Sequence, residues 1–343
     1  MPGIWDRIGC FIRGQGSRLA VSSDRKRLDD AEVQRAIERV VDAANPRLRA
    51  LPGYRRKLSQ AVARSLDYCA ELAGRIPGPV TLDRDSWSND PVVNALFGSY
   101  DRMRRAITSP AVRTYLRETA LETGDCYGIL LAMPEARTQL GMELQGEAIQ
   151  RDVRQTVVSF ANHELLLPGE DPDGVREQLK HAALDVLVGI ATADIADQEG
   201  RITELENRLR VVRIKQKALS PAGRGIDFLG SDNQTRLAEH EAASKRIREL
   251  EKDLAETRKG LATLDDYLER LTGLLMHPES QLDVRLERVR LDRMNIVRQE
   301  AEGTAEGGVE LELARGHRGD RAGRVLLLVR FSRNEPIPEQ ERL

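Results

Sequence analysis

The sequence predicts an α+β fold, mostly α: an N-terminal helical bundle, a small antiparallel sheet, and a long antiparallel coiled-coil hairpin inserted between the two halves of that sheet. Three observations carry this expectation. Apolar residues keep heptad spacing from Leu184 to Leu275 on both sides of one glycine-rich break. Period-two alternation flanks that stretch at 124–170 and again at 281–333. Ahead of both, capped segments with a single apolar face succeed one another from Asp29.

Residues 1–28 form a separate N-terminal segment. Ile4, Trp5, Ile8, Phe11 and Ile12 would share one face of a short helix, expected to pack on the chain's own core rather than on a membrane surface. Residues 29–123 are read as the helical bundle. Asp29 and Asp30 cap a helix carrying Val33, Ile37, Val40 and Val41, and Asn45-Pro46 stops it. A second helix from Gly53 places Leu58, Val62, Leu66 and Cys69 at helical spacing, which makes Cys69 a buried small hydrophobe. Asp90-Pro91 and Ser109-Pro110 each set a cap before a proline at the first helical position, starting two more helices.

The period then changes. Tyr127 to Met133 is continuously apolar, Leu140, Met142 and Leu144 alternate with polar or small residues, and so do Thr156, Val158 and Phe160. Three or four short strands are expected there. After the heptads, Val284 and Leu286 alternate, and the phase slips to Val289 and Leu291 as a bulge or strand break would require. Val309, Leu311 and Leu313 form a strand with one wet face, and Val325 to Phe331 a central one. Arg315 to Arg324 between them is expected to be a basic hairpin loop. The sheet platform is thus 124–170 with 281–333, the hairpin 171–280 with its tip loop at 220–235, and 334–343 a flexible tail.

Residue pairing supports the hairpin. Helices are expected across 172–219 and 236–276, and Ser220-Pro221-Ala222-Gly223-Arg224-Gly225 breaks between them. Antiparallel mates should have residue numbers that add to a constant. A sum of 459 matches Leu209 with Leu250 and Leu205 with Leu254; a sum of 452 matches Leu205 with Ile247, so the register stays open by one heptad. Gln198, Gln216, His240 and Thr257 interrupt the seam, as polar residues that fix register do.

Composition narrows the function classes. The chain has 343 residues and a formal net charge of −2, which argues against a general polyanion binder. No apolar run approaches the roughly 20 residues of a membrane span. Three cysteines, Cys10, Cys69 and Cys126, show neither pairing nor metal spacing, which suits a reducing cytoplasm. The string Val80-Thr81-Leu82-Asp83-Arg84-Asp85-Ser86 resembles superficially the first motif of the haloacid dehalogenase-like phosphatases. That family needs alternating strands and helices in a parallel sheet, whereas the chain beyond Ser86 reads as two helices and a meander of strands. Asp83, Asp85 and Asp90 are therefore read as helix caps. The five histidines lack metal spacing, and no phosphate-binding or nucleophile-elbow motif occurs. No catalytic set, cofactor or metal is expected.

Two surfaces remain as candidates. Ile226, Phe228 and Leu229, with Arg224, sit in the tip loop, and Phe228 is one of five phenylalanines. Just before the tip, Arg208, Arg210, Arg213, Lys215 and Lys217 run without an acidic residue and could meet phosphate or the acids of the other arm. The expected protein is therefore a non-enzymatic cytoplasmic interaction or scaffold protein. Its coiled-coil stalk meets a protein partner, within a multi-subunit complex or alone. The alternative is a nucleic-acid-binding factor using the basic upper stalk and the 315–324 loop, and an enzyme ranks third. Membrane association is not expected, and self-association is left open.

Overall fold

A computed structural model describes residues 30–119, 124–145, 148–219, 233–259, 261, 263–298, 309–318 and 321–336. These residues make a mixed, mostly helical α+β structure with one six-stranded sheet. They divide into two compact units, one of Leu66–Leu184 with the chain from Glu279 onward, the other of Leu28–Ser65 and Asp185–Pro278.

The first unit is built on the sheet. Its strands are β1 (Val80–Thr81), β2 (Asp125–Gln145), β3 (Ala148–Gly169), β4 (Asp283–Leu291), β5 (Val309–Arg318) and β6 (Arg321–Ser332). Their order is β3-β2-β6-β5-β4 with antiparallel neighbours, and β1 lies parallel to β6. Strand β6 is buried from both sides: Val325, Leu327, Val329 and Phe331 join one apolar cluster and Leu328 the other. That is what an apolar run without alternation demands.

Short helices cover the first face. After α1 (Asp30–Ala44), α2 (Tyr54–Gly74) and α3 (Arg84–Asn89) come α4 (Pro91–Phe97), α5 (Tyr100–Ile107) and α6 (Pro110–Glu118). The last three bury Leu96, Phe97, Met103, Ile107 and Val112 in the cluster that holds Leu130, Phe160 and Leu313 of the sheet. Each start is capped: Asp90 accepts from the Val92 amide at 2.8 Å, Ser99 from Arg102 at 3.3 Å and Ser109 from Val112 at 3.3 Å. Asp83 caps α3, taking the Ser86 amide at 2.6 Å. The aspartate-rich string is thus a strand end leading into helix caps. On the opposite face, Leu72 and Ile76 from the end of α2 pack with Ile129, Val284 and Leu328, as does Val175 from the start of α7 (Pro172–Leu219).

The structure corrects several expectations. The helices of 29–123 do not make one bundle, because α4 to α6 spend their apolar faces on the sheet. The segment 124–170 holds two long strands of 21 and 22 residues rather than three or four short ones. Within β2, Gly141 lies beneath a side chain: a Cβ there would come within 2.0 Å of Gln155 Oε1. Gln155 Nε2 donates to the Met142 carbonyl at 3.1 Å, so the glycine marks close approach inside a strand. The phase slip in β4 is not a bulge. Its pairing with β5 runs without a shift from Asp283 to Leu291. Val284 is buried in one face's cluster while Val289 and Leu291 are buried in the other's. Finally, 315–324 is mostly strand. Arg315 is buried with Glu287 at 3.5 Å, and Arg324 donates to Glu164 at 2.9 Å, so neither is a loose basic loop residue.

Two histidines report on this core. His163 Nε2 is 2.9 Å from the Leu96 carbonyl oxygen and its ring lies 4.8 Å from that of Phe97. Burial holds its pKa below the ordinary histidine value, and burial followed by Arg285 does the same for His317. A ring with a depressed pKa stabilises the fold fully above about pH 6.5, the unfolded value, and the benefit is lost as pH falls through the folded value. Urea midpoints should therefore decline as pH falls below about 6.5. In His163→Gln the decline should be shallower; an unchanged slope in that variant counts against His163 as a source.

Candidate partner-binding surface

The second unit is helical. Helix α1 buries Val33, Ile37, Val40 and Val41. The central turns of α7 bury Leu187, Val188, Ala191 and Ile195, and α9 (Leu264–Met276) buries Leu268, Leu271 and Leu275. Polar contacts join these elements. Arg39 pairs with Asp185, and Lys57 Nζ lies 2.7 Å from Asp265. The buried Ser65 hydroxyl donates to the Leu275 carbonyl at 2.7 Å, and Arg270 reaches Asp194 at 2.8 Å.

Beyond Ile195, α7 continues to Leu219 and meets α8 (Asn233–Arg258). Leu209, Ile247, Leu250 and Leu254 form one buried cluster, against which Ile202, Leu205 and Val212 pack. Two polar residues of this seam are satisfied across it. Gln216 Nε2 donates to Ser244 Oγ at 2.9 Å, and Gln198 Nε2 donates to the Thr257 carbonyl at 3.2 Å. The expected single helix over 236–276 is interrupted. Helix α8 stops at Arg258, and Thr263 opens α9 with a reciprocal capping box to Asp266. Thr263-Leu264-Asp265-Asp266 after Gly260 is a start signal that a heptad count passes over.

The proposed basic residues fall on the exposed part of this helix pair, with different fates. Arg213 is bound to Glu251 at 2.6 Å, and Arg208 pairs with Glu204 one turn away. Across the seam Arg258 pairs with Glu206. Arg210, Lys215 and Lys217 are exposed and make no ion pair among the described residues. The stretch is therefore partly neutralised rather than uniformly basic. Arg224, Ile226, Phe228 and Leu229 of the tip loop lie outside the described residues.

Beside the cations lie residues that sequence reading overlooked. Val211 and Ile214 are 65% and 62% exposed although both are β-branched aliphatics in the middle of a helix. A groove between α7 and α8 has Leu209, Ile214, Leu254 and Ala255 as its apolar lining. Its charged lining is Arg210, Arg213, Lys217 and Arg258 with Glu206 and Glu251. Val211 lines a separate groove with Thr203, Asn207 and Leu250. A detectable signal existed. Asn207, Val211, Ile214 and Ala218 repeat the heptad two residues after Leu205, Leu209, Val212 and Gln216. Two residues are about 200° around a helix, so this second stripe lies outside the buried seam, with Ile214 at the margin of one groove and Val211 at the margin of the other.

Cys69 and Cys126 are buried, and burial pushes the Cys69 thiol up to about 12, so it stays protonated at neutral pH. Among the described residues no helix is long and apolar enough to cross a membrane. No known protein family, curated protein or solved structure matches the chain.

The seam makes a quantitative expectation. Leu250 is 2% exposed, so Leu250→Ala should cost about 2–4 kcal/mol, through lost burial and the cavity left behind. Arg213→Ala removes an ion pair whose side chains are 54% and 44% exposed and should cost less than about 1 kcal/mol. Chemical denaturation of the two variants measures the contrast. Equal costs would mean that the apolar seam does not hold the helix pair.

Proposed function

We propose that this chain is a non-enzymatic cytoplasmic interaction protein whose distal α7–α8 pair is an antiparallel coiled-coil stalk that contacts a protein partner. The observation that carries the reading is the exposed, aliphatic and partly cationic surface on a helix pair with its own satisfied seam. Four cross-links support the antiparallel register. Gln216 with Ser244, Gln198 with Thr257, Arg213 with Glu251 and Glu206 with Arg258 have numbers adding to between 455 and 464, nearer 459 than 452 as a set. Beyond Ile195, α7 runs on for 24 residues to Leu219, about 36 Å at about 1.5 Å per residue. The tip residues Ile226, Phe228 and Leu229, with Arg224, belong to the proposal on the sequence argument alone: a scarce aromatic with two aliphatics where two arms end.

Nucleic-acid binding is the weaker reading. Arg210, Lys215 and Lys217 favour it, since they make no ion pair among the described residues. The contacts of Arg315 with Glu287 and of Arg324 with Glu164 count against its second basic element.

The test is recovery of co-purifying protein and nucleic acid from the native host, read beside thermal stability. Phe228→Ala should keep the melting temperature and lower partner affinity, since truncating an interface aromatic costs about 2 kcal/mol or more, roughly thirtyfold. A lower melting temperature with unchanged recovery would make Phe228 an internal cap. If only Arg210→Ala with Arg213→Ala loses material, and that material is nucleic acid, the second reading replaces the first.

A further inference from the structure

Resting on the stalk reading, we infer that the groove between α7 and α8 around Ile214 is a docking site for one acidic amphipathic helix, which would complete a three-helix bundle. Two antiparallel helices packed side by side leave a trough along their line of contact, and an amphipathic helix is the element that fills it. The apolar part of this trough is already present. Ile214 is 62% exposed there, beside Leu209, Leu254 and Ala255. An exposed helix position gains nothing from a β-branched aliphatic, which lowers helix propensity and leaves apolar area in water.

The charge of the lining selects the occupant. It holds four cations and two carboxylates. Both carboxylates are engaged, Glu251 by Arg213 and Glu206 by Arg258. Arg210 and Lys217 are left over, seven residues apart on one face of α7, about 10 Å along the helix axis. Carboxylates spaced seven residues apart on a partner helix would meet both. A second copy docking through the same groove would instead bring Arg210 and Lys217 against their own equivalents, a like-charge arrangement that costs affinity. A nucleic-acid backbone would have to lie along Glu206 and Glu251 and over an apolar surface, with little to gain from Ile214.

The probe is a synthetic three-heptad amphipathic peptide with leucine or isoleucine at the a and d positions and glutamate at e and g. Its twin carries lysine at e and g. Binding of both to the full chain is followed by fluorescence anisotropy, with circular dichroism confirming that each variant is folded. The glutamate peptide should bind at least about tenfold more tightly than its twin. Ile214→Asp should weaken it at least about tenfold, and Arg210→Glu with Lys217→Glu should invert the preference. Val211→Asp, in the separate groove, should leave binding unchanged.

Absence of glutamate-peptide binding, equal binding of the twin, or equal losses from Val211→Asp and Ile214→Asp would each overturn the assignment. So would self-association abolished by Ile214→Asp, or binding of a short RNA duplex abolished by Arg210→Glu with Lys217→Glu. Leu250→Asp separates this failure from that of the stalk reading. A native partner that is lost with Leu250→Asp while the peptide never binds removes the groove and leaves the stalk. A partner retained by Leu250→Asp removes both.

Discussion

The sheet closes through β6, and the rest of the first unit depends on that closure. Strands β2 and β3 come before the long helical segment, β4 and β5 after it, and β6 alone lies between the two pairs. Its pairing with β2 runs from Asp125 with Ser332 to Ala132 with Val325, and its pairing with β5 joins Ala314 to Leu326. Polar substitution of Leu327 or Val329 would therefore strike the one strand that, among the described residues, pairs with both β2 and β5. It also explains why both β6 faces are apolar: helices α4 to α6 require one and the ends of α2 and α7 require the other.

The same topology puts β3 and β4 at the two ends of the strand order, and the segment 295–298 links them: Ile296 bridges to Val157 of β3 and Val297 to Leu291 of β4. The chain leaves the sheet after β3 and rejoins it at β4. The capping box at Thr263 divides the return into α8 and α9.

Much of this was legible in the sequence, for reasons that differ by element. The caps at Asp83, Asp90 and Ser109 are local chemistry: a side-chain oxygen and an amide two or three residues away. The seam around Leu209 and Leu250 is legible because burial at a fixed period leaves an unambiguous spacing. What the faces pack against was not legible, since an apolar face records only that something covers it. Hence α4 to α6 looked like members of a bundle. β4 misled for a related reason: burial passes from one face at Val284 to the other at Val289, which imitates a slip in a strand that has none. In the candidate site, Arg208 to Lys217 was noticed as a charge run, but Glu204 and Glu251 neutralise two of its members. Ile214 was passed over because it falls outside the first heptad stripe.

The place of β6 also orders the events of synthesis. It is the last strand of the sheet to leave a ribosome, and β2 must wait for nearly two hundred residues before its partner exists. The contacts of α7 with α8 join residues far closer in the chain, so they can form while the sheet is still open. During that interval β2 and β3 stand as a hairpin with an unfilled edge at Leu130 and Leu131, the place where a nascent chain would most need protection from pairing with a neighbour.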